Sequence, residues 1–203
     1  MTGDDHWMFL DEPPPSELSA QLYQEDLDAG GYVDNLTRLW CWRPDAMVAH
    51  YDTRAVLLED SGLSSTDVAV INAATAAART DSYCALAWGT KLAEQVDART
   101  SARVLSGSVD ELDDRMAALT RWARLVAVDP NSTTPEDVDR LRRVGLTDRQ
   151  IFEITMLAAW RLAFSTVNDA LGAQPDAQLA QRAPAEVRSA VSFGRAVAEE
   201  PSA

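Results

Sequence analysis

Residues 69–92, AVINAATAAARTDSYCALAWGTKL, decide the fold class of this chain. An alanine-rich apolar run reaches Ala78, Arg79-Thr80-Asp81-Ser82 interrupts it, and a second apolar period follows from Tyr83. Alanine loses no side-chain entropy in a helix, and Ser, Thr and Asp satisfy the free N–H groups at a helix start, so the stretch reads as helix, break, helix. With Thr80 or Asp81 as the cap, Cys84 falls in the first turn of the second helix. The backbone N–H groups and the positive end of the helix dipole favour a thiolate at such a position. Asp81, Cys84, Trp88 and Lys91 follow one another at spacings of three, four and three. An acid, a thiol, an indole and an amine therefore share one helical face.

Working outward, the same helix signals recur. Ser16 caps a helix to about Leu27, closed by Gly30-Gly31, and residues 34–42 form a short Leu- and Trp-rich helix that stops before Pro44. Asp45 is the expected cap of a helix to about Asp60 that contains His50. Ser64 and Asp67 make an S-x-x-D capping pair for the helix that precedes the break. Residues 97–110 read as a polar connector, and a helix from about Glu111 to Val128 turns Met116, Leu119, Trp122, Ala123 and Val126 inward. Thr134-Pro135-Glu136-Asp137 opens a helix that closes at Gly145. The last long helix starts from a Thr147/Gln150 capping box, flanked by a Leu146/Ile151 staple, and runs to Gly172. Between Ile154 and Phe164 it is apolar nearly all round except at Arg161, the pattern of a helix inside a bundle or at a subunit contact. Residues 62–89 and 145–172 match in length and both open on Gly-Leu-Ser/Thr, which fits either a duplicated two-helix unit or a common helix junction. No stretch keeps the two-residue alternation of a strand, so the expected fold is all-α.

The 203 residues, 46% of them hydrophobic, suffice for one buried core. The expected organisation is an extended N-terminal arm over 1–15 ending at Pro13-Pro14-Pro15, a single helical domain over 16–195, and a tail over 196–203. Trp7, Met8 and Phe9 are the groups through which the arm would dock, on its own subunit or on a neighbour. The net charge of −14 argues against nucleic-acid binding. Cys41 and Cys84 with His6 and His50 have no metal-ligand spacing, so neither metal nor cofactor is expected. Cys41, within Leu39-Trp40-Cys41-Trp42, reads as a buried small residue, while a Cys41–Cys84 bridge stays open. An acidic start and the lack of any apolar run of membrane length point to a soluble cytoplasmic protein with no membrane partner. Arginine in excess over a single lysine, with abundant alanine, fits a bacterial genome rich in GC.

Tyr83-Cys84-Ala85-Leu86-Ala87-Trp88-Gly89 resembles the core of the alkylhydroperoxidase D-like (AhpD-like), or carboxymuconolactone decarboxylase, superfamily, in particular its uncharacterised peroxidase-related branch. Gly31-Tyr32-Val33-Asp34-Asn35, Arg43-Pro44, Leu141-Arg142-Arg143-Val144-Gly145-Leu146-Thr147-Asp148, Asn168-Asp169-Ala170-Leu171-Gly172 and Val191-Ser192-Phe193-Gly194-Arg195 resemble that branch in the same order. The resemblance implies a helical fold that assembles with itself, as homodimer, trimer or hexamer, with the thiol pocket near a subunit contact. The family motif is C-x-Y-C-x-x-x-H-G with a glutamate fifteen residues before the second cysteine. Here only the second cysteine is kept, as Cys84; Asp81, Trp88 and Ala69 stand where the first cysteine, the histidine and the glutamate would be. In the family two thiols cycle through a disulfide while Glu and His move the proton, which these residues cannot do.

The candidate catalytic residues are therefore Cys84 and Asp81, with Tyr83, Trp88, Lys91, Ala69, Asp67 and His50 lining the pocket. Asp67, near the family's glutamate position, is also explained as a capping residue, and His50 as a hydrogen-bonded core or surface histidine. Three functions are compatible with this set. One is an enzyme of lyase, isomerase or tailoring type acting on a small organic molecule, with Asp81 as acid or base. Another is a one-cysteine peroxide reductase, and the third is a non-catalytic binding or structural oligomer whose old pocket Trp88 fills.

Overall fold

A computed structural model describes residues 7–199. Among them are α1 (Glu17–Gly30), α2 (Asn35–Trp40), α3 (Pro44–Leu58), α4 (Ser65–Ala78), α5 (Ser82–Gln95), α6 (Ala98–Ser106), α7 (Asp114–Val128), α8 (Pro135–Arg143), α9 (Asp148–Ala170), α10 (Ala177–Arg182) and α11 (Ala185–Ala190), and no strand. The all-α expectation holds.

The bundle is built around α4. From Asp67 to Ala77 all its residues are buried, and α5, α6, α7 and α9 pack against it. Its alanines explain this position: a helix with small side chains on every side lets several neighbours approach at once. Ile71, Leu92, Leu105, Leu119, Ile154, Leu157 and Phe164 fill the spaces between these helices and are fully buried. Between α4 and α5 the chain reverses at Thr80, whose φ is +59°, and the Asp81 N–H donates to the Ala76 carbonyl at 3.0 Å.

The capping boxes at Ser64, Thr134 and Thr147 form as the sequence requires. Elsewhere the boundaries shift for identifiable reasons. Pro44 takes the first position of α3, so Arg43 is the cap and Asp45 sits in the first turn, paired with the Arg43 guanidinium at 2.8 Å. α7 begins only at Asp114, because Glu111 has a φ of +68° and cannot be helical. Residues 97–110 are not a connector: Asp97 accepts the Thr100 N–H and starts α6, which buries Ser101, Val104 and Leu105. Three buried residues in nine are enough to anchor a helix but too few to show as a period. The two-helix repeat is not found, since α9 is one unbroken helix where α4 and α5 are separated by Thr80 and Asp81.

Residues 7–15 carry no regular secondary structure and lie on the same chain. The Phe9 N–H donates to Leu171 O at 2.8 Å, the Gln174 N–H donates to Trp7 O at 3.0 Å, and Met8 is buried. The first six residues of the expected arm, with His6, and the last four of the expected tail lie outside the described residues. Cys41 and Cys84 are both free and buried, Cys41 in a small cluster with Leu22 and Met47.

Candidate active site

The break before α5 is what places the thiol. Asp81 caps the helix by accepting the Cys84 N–H at 2.9 Å, and it is fully buried. Ser82 is pinned from outside: its hydroxyl accepts the Arg195 N–H at 3.0 Å and donates to Arg195 O at 2.8 Å. Gly194 makes that contact possible, because a Cβ at this residue, with φ +72°, would stand 2.4 Å from Thr80 O. The C-terminal segment thus clamps the start of the cysteine helix.

The sulfur of Cys84 faces α9. Arg161 Nη1 lies 3.0 Å from Sγ and Asn168 Nδ2 lies 3.7 Å from it, and the Asn168 amide is oriented by Trp40 Nε1, which donates to its Oδ1 at 2.8 Å. Arg161 and Asn168 escaped the sequence reading as site residues. The available signal was Arg161 itself, a single charge in the most apolar stretch of the chain.

The thiol is 2% exposed. Burial pushes its pKa well above the ordinary cysteine range; the Arg161 charge opposes this, and the negative Asp81 adds to it. The thiolate favoured by the helix end is thus overridden in this closed state by desolvation and by the acid at the cap. Asp169, beside Asp81, is pushed up to about 7 by burial and by its neighbour's charge, against Arg195 and Arg79.

The shared face of α5 exists as expected, but its far end does something different. Trp88 is half-buried, with the Arg54 guanidinium 5.3 Å and the Lys91 amine 4.9 Å from its ring centroid. His50 lies close by rather than in an unrelated part of the core, with its ring 4.6 Å from Phe164 and 6.0 Å from Trp160. Burial, then Arg161 and Arg54, push it down to about 4, so the ring is neutral near pH 7.

Two expected pocket residues are engaged elsewhere, and a third offers no polar atom. Tyr83 points to the other side of α5, where its hydroxyl donates to Asp176. Asp67 is occupied: it caps α4 and accepts from Arg115 Nε at 2.8 Å and Nη2 at 2.9 Å. Burial opposes ionisation there, yet Arg115 and Ser64 hold the carboxyl below its usual range. Ala69 is fully buried in the main core and offers no polar atom where the acid would be. Among the described residues no group of three or more His, Cys, Asp or Glu is placed to hold a metal ion.

Solved structures share this arrangement of helices. The AhpD core of a peroxidase-related protein from Ralstonia eutropha JMP134 superposes with a TM-score of 0.75, at 22% identity, over 93% of this chain and 98% of that one. The fold is AhpD-like. A second peroxidase-related protein, from Silicibacter sp. TM1040, matches the AhpD-like chain with a TM-score of 0.76 at 21% identity, over 88% of this chain and 97% of the other. The debrominase Bmp8, in a cysteine-to-alanine variant complexed with 2,3,4-tribromopyrrole, matches with a TM-score of 0.68 at 16% identity, over 85% and 95%. No protein-family model matches the sequence, and no match to it is found among curated proteins. The likeness is one of fold, and it extends over nearly the whole AhpD-like chain.

Proposed function

We propose that this AhpD-like protein is an enzyme that acts on a small organic molecule through the single thiol of Cys84, in a reaction of lyase, isomerase or tailoring type, without a two-cysteine redox cycle. The observation that carries the reading is the Arg161 guanidinium 3.0 Å from the sulfur, with no carboxylate paired to it among the described residues. A buried cation against a sulfur stabilises charge that develops there during a reaction. In this reading Asp81, which caps the helix beside the sulfur, takes the thiol proton. Arg161 and Asn168 hold the thiolate as it adds to an electrophilic carbon of an unsaturated substrate, the π pair moving onto the substrate. When the C–S bond breaks, the pair returns to sulfur and Asp81 gives the proton back. The debrominase that shares the fold gives this reading its chemical precedent, a small brominated pyrrole.

The same guanidinium would also polarise a peroxide, which is the observation in favour of a one-cysteine peroxide reductase. The raised thiol pKa bears on both readings alike, since each needs the thiolate, and turnover is what separates them. Alkylation of the native protein by iodoacetamide across pH 6–10, with Cys84→Ser as the blank, separates the readings. Labelling of Cys84 that rises with pH is expected, with no steady turnover of cumene hydroperoxide in excess dithiothreitol. An unlabelled Cys84 at every pH would leave only a non-catalytic oligomer, and sustained peroxide turnover would establish the reductase.

Self-association, as homodimer, trimer or hexamer, and a cytoplasmic location belong to the same proposal. In support, Phe152 on α9 is 65% exposed, and Ala159 and Ala163 continue an outward stripe on that helix. No helix among the described residues is long and apolar enough to cross a membrane.

A further inference from the structure

Around Trp88 and Phe164 the bundle gathers positive charge that no ion pair neutralises among the described residues, with Asp34 and Glu94 acting on Lys91 only at longer range. Arg54 from α3 and Lys91 from α5 both lie over the Trp88 ring, and Arg161 from α9 lies 4.6 Å from the Phe164 centroid. The two arginines are close enough to lower the proton affinity of their neighbours beyond what burial does, Arg161 acting on Arg54, His50 and Lys91, and Arg54 acting on His50 and Lys91. None of the three forms an ion pair among the described residues, in a chain that carries 32 acidic residues. Other arginines do find carboxylates: Arg38, Arg43, Arg103, Arg115, Arg140, Arg142 and Arg149 are all paired.

The same cluster is short of acceptors. Nε of Arg54, Nε of Arg161 and Nε1 of Trp160 are buried with no hydrogen-bond partner, and Arg161 is only 8% exposed. A buried donor without an acceptor is destabilising, and more so when charged, so three in one place call for an acceptor that arrives from outside. The flanking surfaces are flat and apolar: Trp88, Phe164, Trp160 and the neutral His50. Inorganic anions would satisfy the donors and waste the rings.

We propose that the ligand of this site is a flat organic carboxylate, its negative end held by Arg54 and Arg161 with Lys91 at the exposed side, and its ring or conjugated body against Trp88 and His50. Because Arg161 also touches the sulfur, the ligand is delivered to Cys84, and in this sense the inference rests on the small-molecule reading of the thiol. Carboxylate recognition by paired guanidiniums is strong because the hydrogen bonds are charge-assisted and the donors are already desolvated.

The test is calorimetric titration of the native protein with benzoate, and with benzyl alcohol as the uncharged analogue. Benzoate is expected to bind and benzyl alcohol not. Arg54→Gln weakens benzoate by roughly tenfold to a hundredfold, and Arg54→Lys restores part of the loss. Circular dichroism checks that the Arg54 variants are folded, and light scattering follows their mass. Equal binding of the two analogues, or full benzoate affinity in folded Arg54→Gln, overturns the proposal. So does an Arg54→Gln protein that loses its assembly while the wild type ignores benzoate, since a neighbouring subunit's carboxylate would then be the missing acceptor. Benzoate binding with an inert Cys84 would sustain the anion site and defeat the thiol reading; a reactive Cys84 without benzoate binding would do the reverse.

Discussion

At the scale of the residue, Cys84 is governed by two neighbours of opposite sign. Replacing Asp81 with Asn keeps a capping side chain of nearly equal strength but removes the negative charge beside the sulfur. The thiol pKa falls, and iodoacetamide labelling at pH 8 is expected to be faster in Asp81→Asn than in the wild type. Arg161→Met has the opposite effect, slowing labelling by roughly tenfold to a hundredfold through loss of one charge-assisted hydrogen bond to the sulfur. If both variants label as the wild type does, the sulfur is not under electrostatic control. The thiol and the acid were legible in the sequence because they lie three residues apart on one helix. Arg161 and Asn168 were not, since they reach the same sulfur from seventy-seven and eighty-four residues away.

At the scale of the element, Gly89 marks how tightly α5 is packed. A Cβ there would stand 2.8 Å from Leu105 Cδ1 and 3.0 Å from Val187 Cγ1, contacts made by α6 and α11. Gly89→Ala gains about 1 kcal/mol of helix propensity and loses about 1–3 kcal/mol to overpacking. A net loss of about 1 kcal/mol is expected, read as a fall in Tm of about 2–4 °C. A rise in Tm would mean that α6 and α11 yield easily to the added methyl. Gly89 belongs to the family-like motif, but its reason is this close approach. Capped helices with long apolar stripes were legible from the chain, as α4, α5 and α9 show. α6 was not, because its anchoring residues are few and its neighbours are remote in sequence.

At the scale of the whole molecule, buried acids set the response to pH. Asp34 is pushed up to about 7 by burial and by Asp26 and Asp176, and Asp169 reaches about 7 as well, from a usual value of 3.8. Between those values the folded protein holds protons on both that the unfolded chain has released, so each makes stability fall as pH rises. His50 has the opposite sign: its folded value of about 4 against 6.5 makes stability rise with pH across that interval. Two groups outweigh one, and the protein is expected to be less stable to urea at pH 8 than at pH 5. Asp34→Asn removes one of the two, flattening the difference by stabilising the protein at pH 8. An unchanged difference in that variant would show that Asp34 is ionised in the fold without penalty. Assembly is tested at the same scale: if the α9 stripe is the contact, Phe152→Glu lowers the mass measured by light scattering, and an unchanged mass places the contact elsewhere.

The sequence alone determined the all-α class, the capping boxes at Ser64, Thr134 and Thr147, and the position of the thiol at a helix start, because periodicity and capping are local and act within four residues. It also put Asp81, Trp88 and Ala69 where the motif it resembles has a cysteine, a histidine and a glutamate, which is the ground for proposing a reaction without a two-cysteine cycle. Only the tertiary structure decided which groups face the sulfur, that Tyr83 and Asp67 are engaged with Asp176 and Arg115 instead, and that three cations share an aromatic cluster with no ion pair among the described residues. Burial and the meeting of distant helices govern those outcomes. Neither is a property of any short stretch of chain.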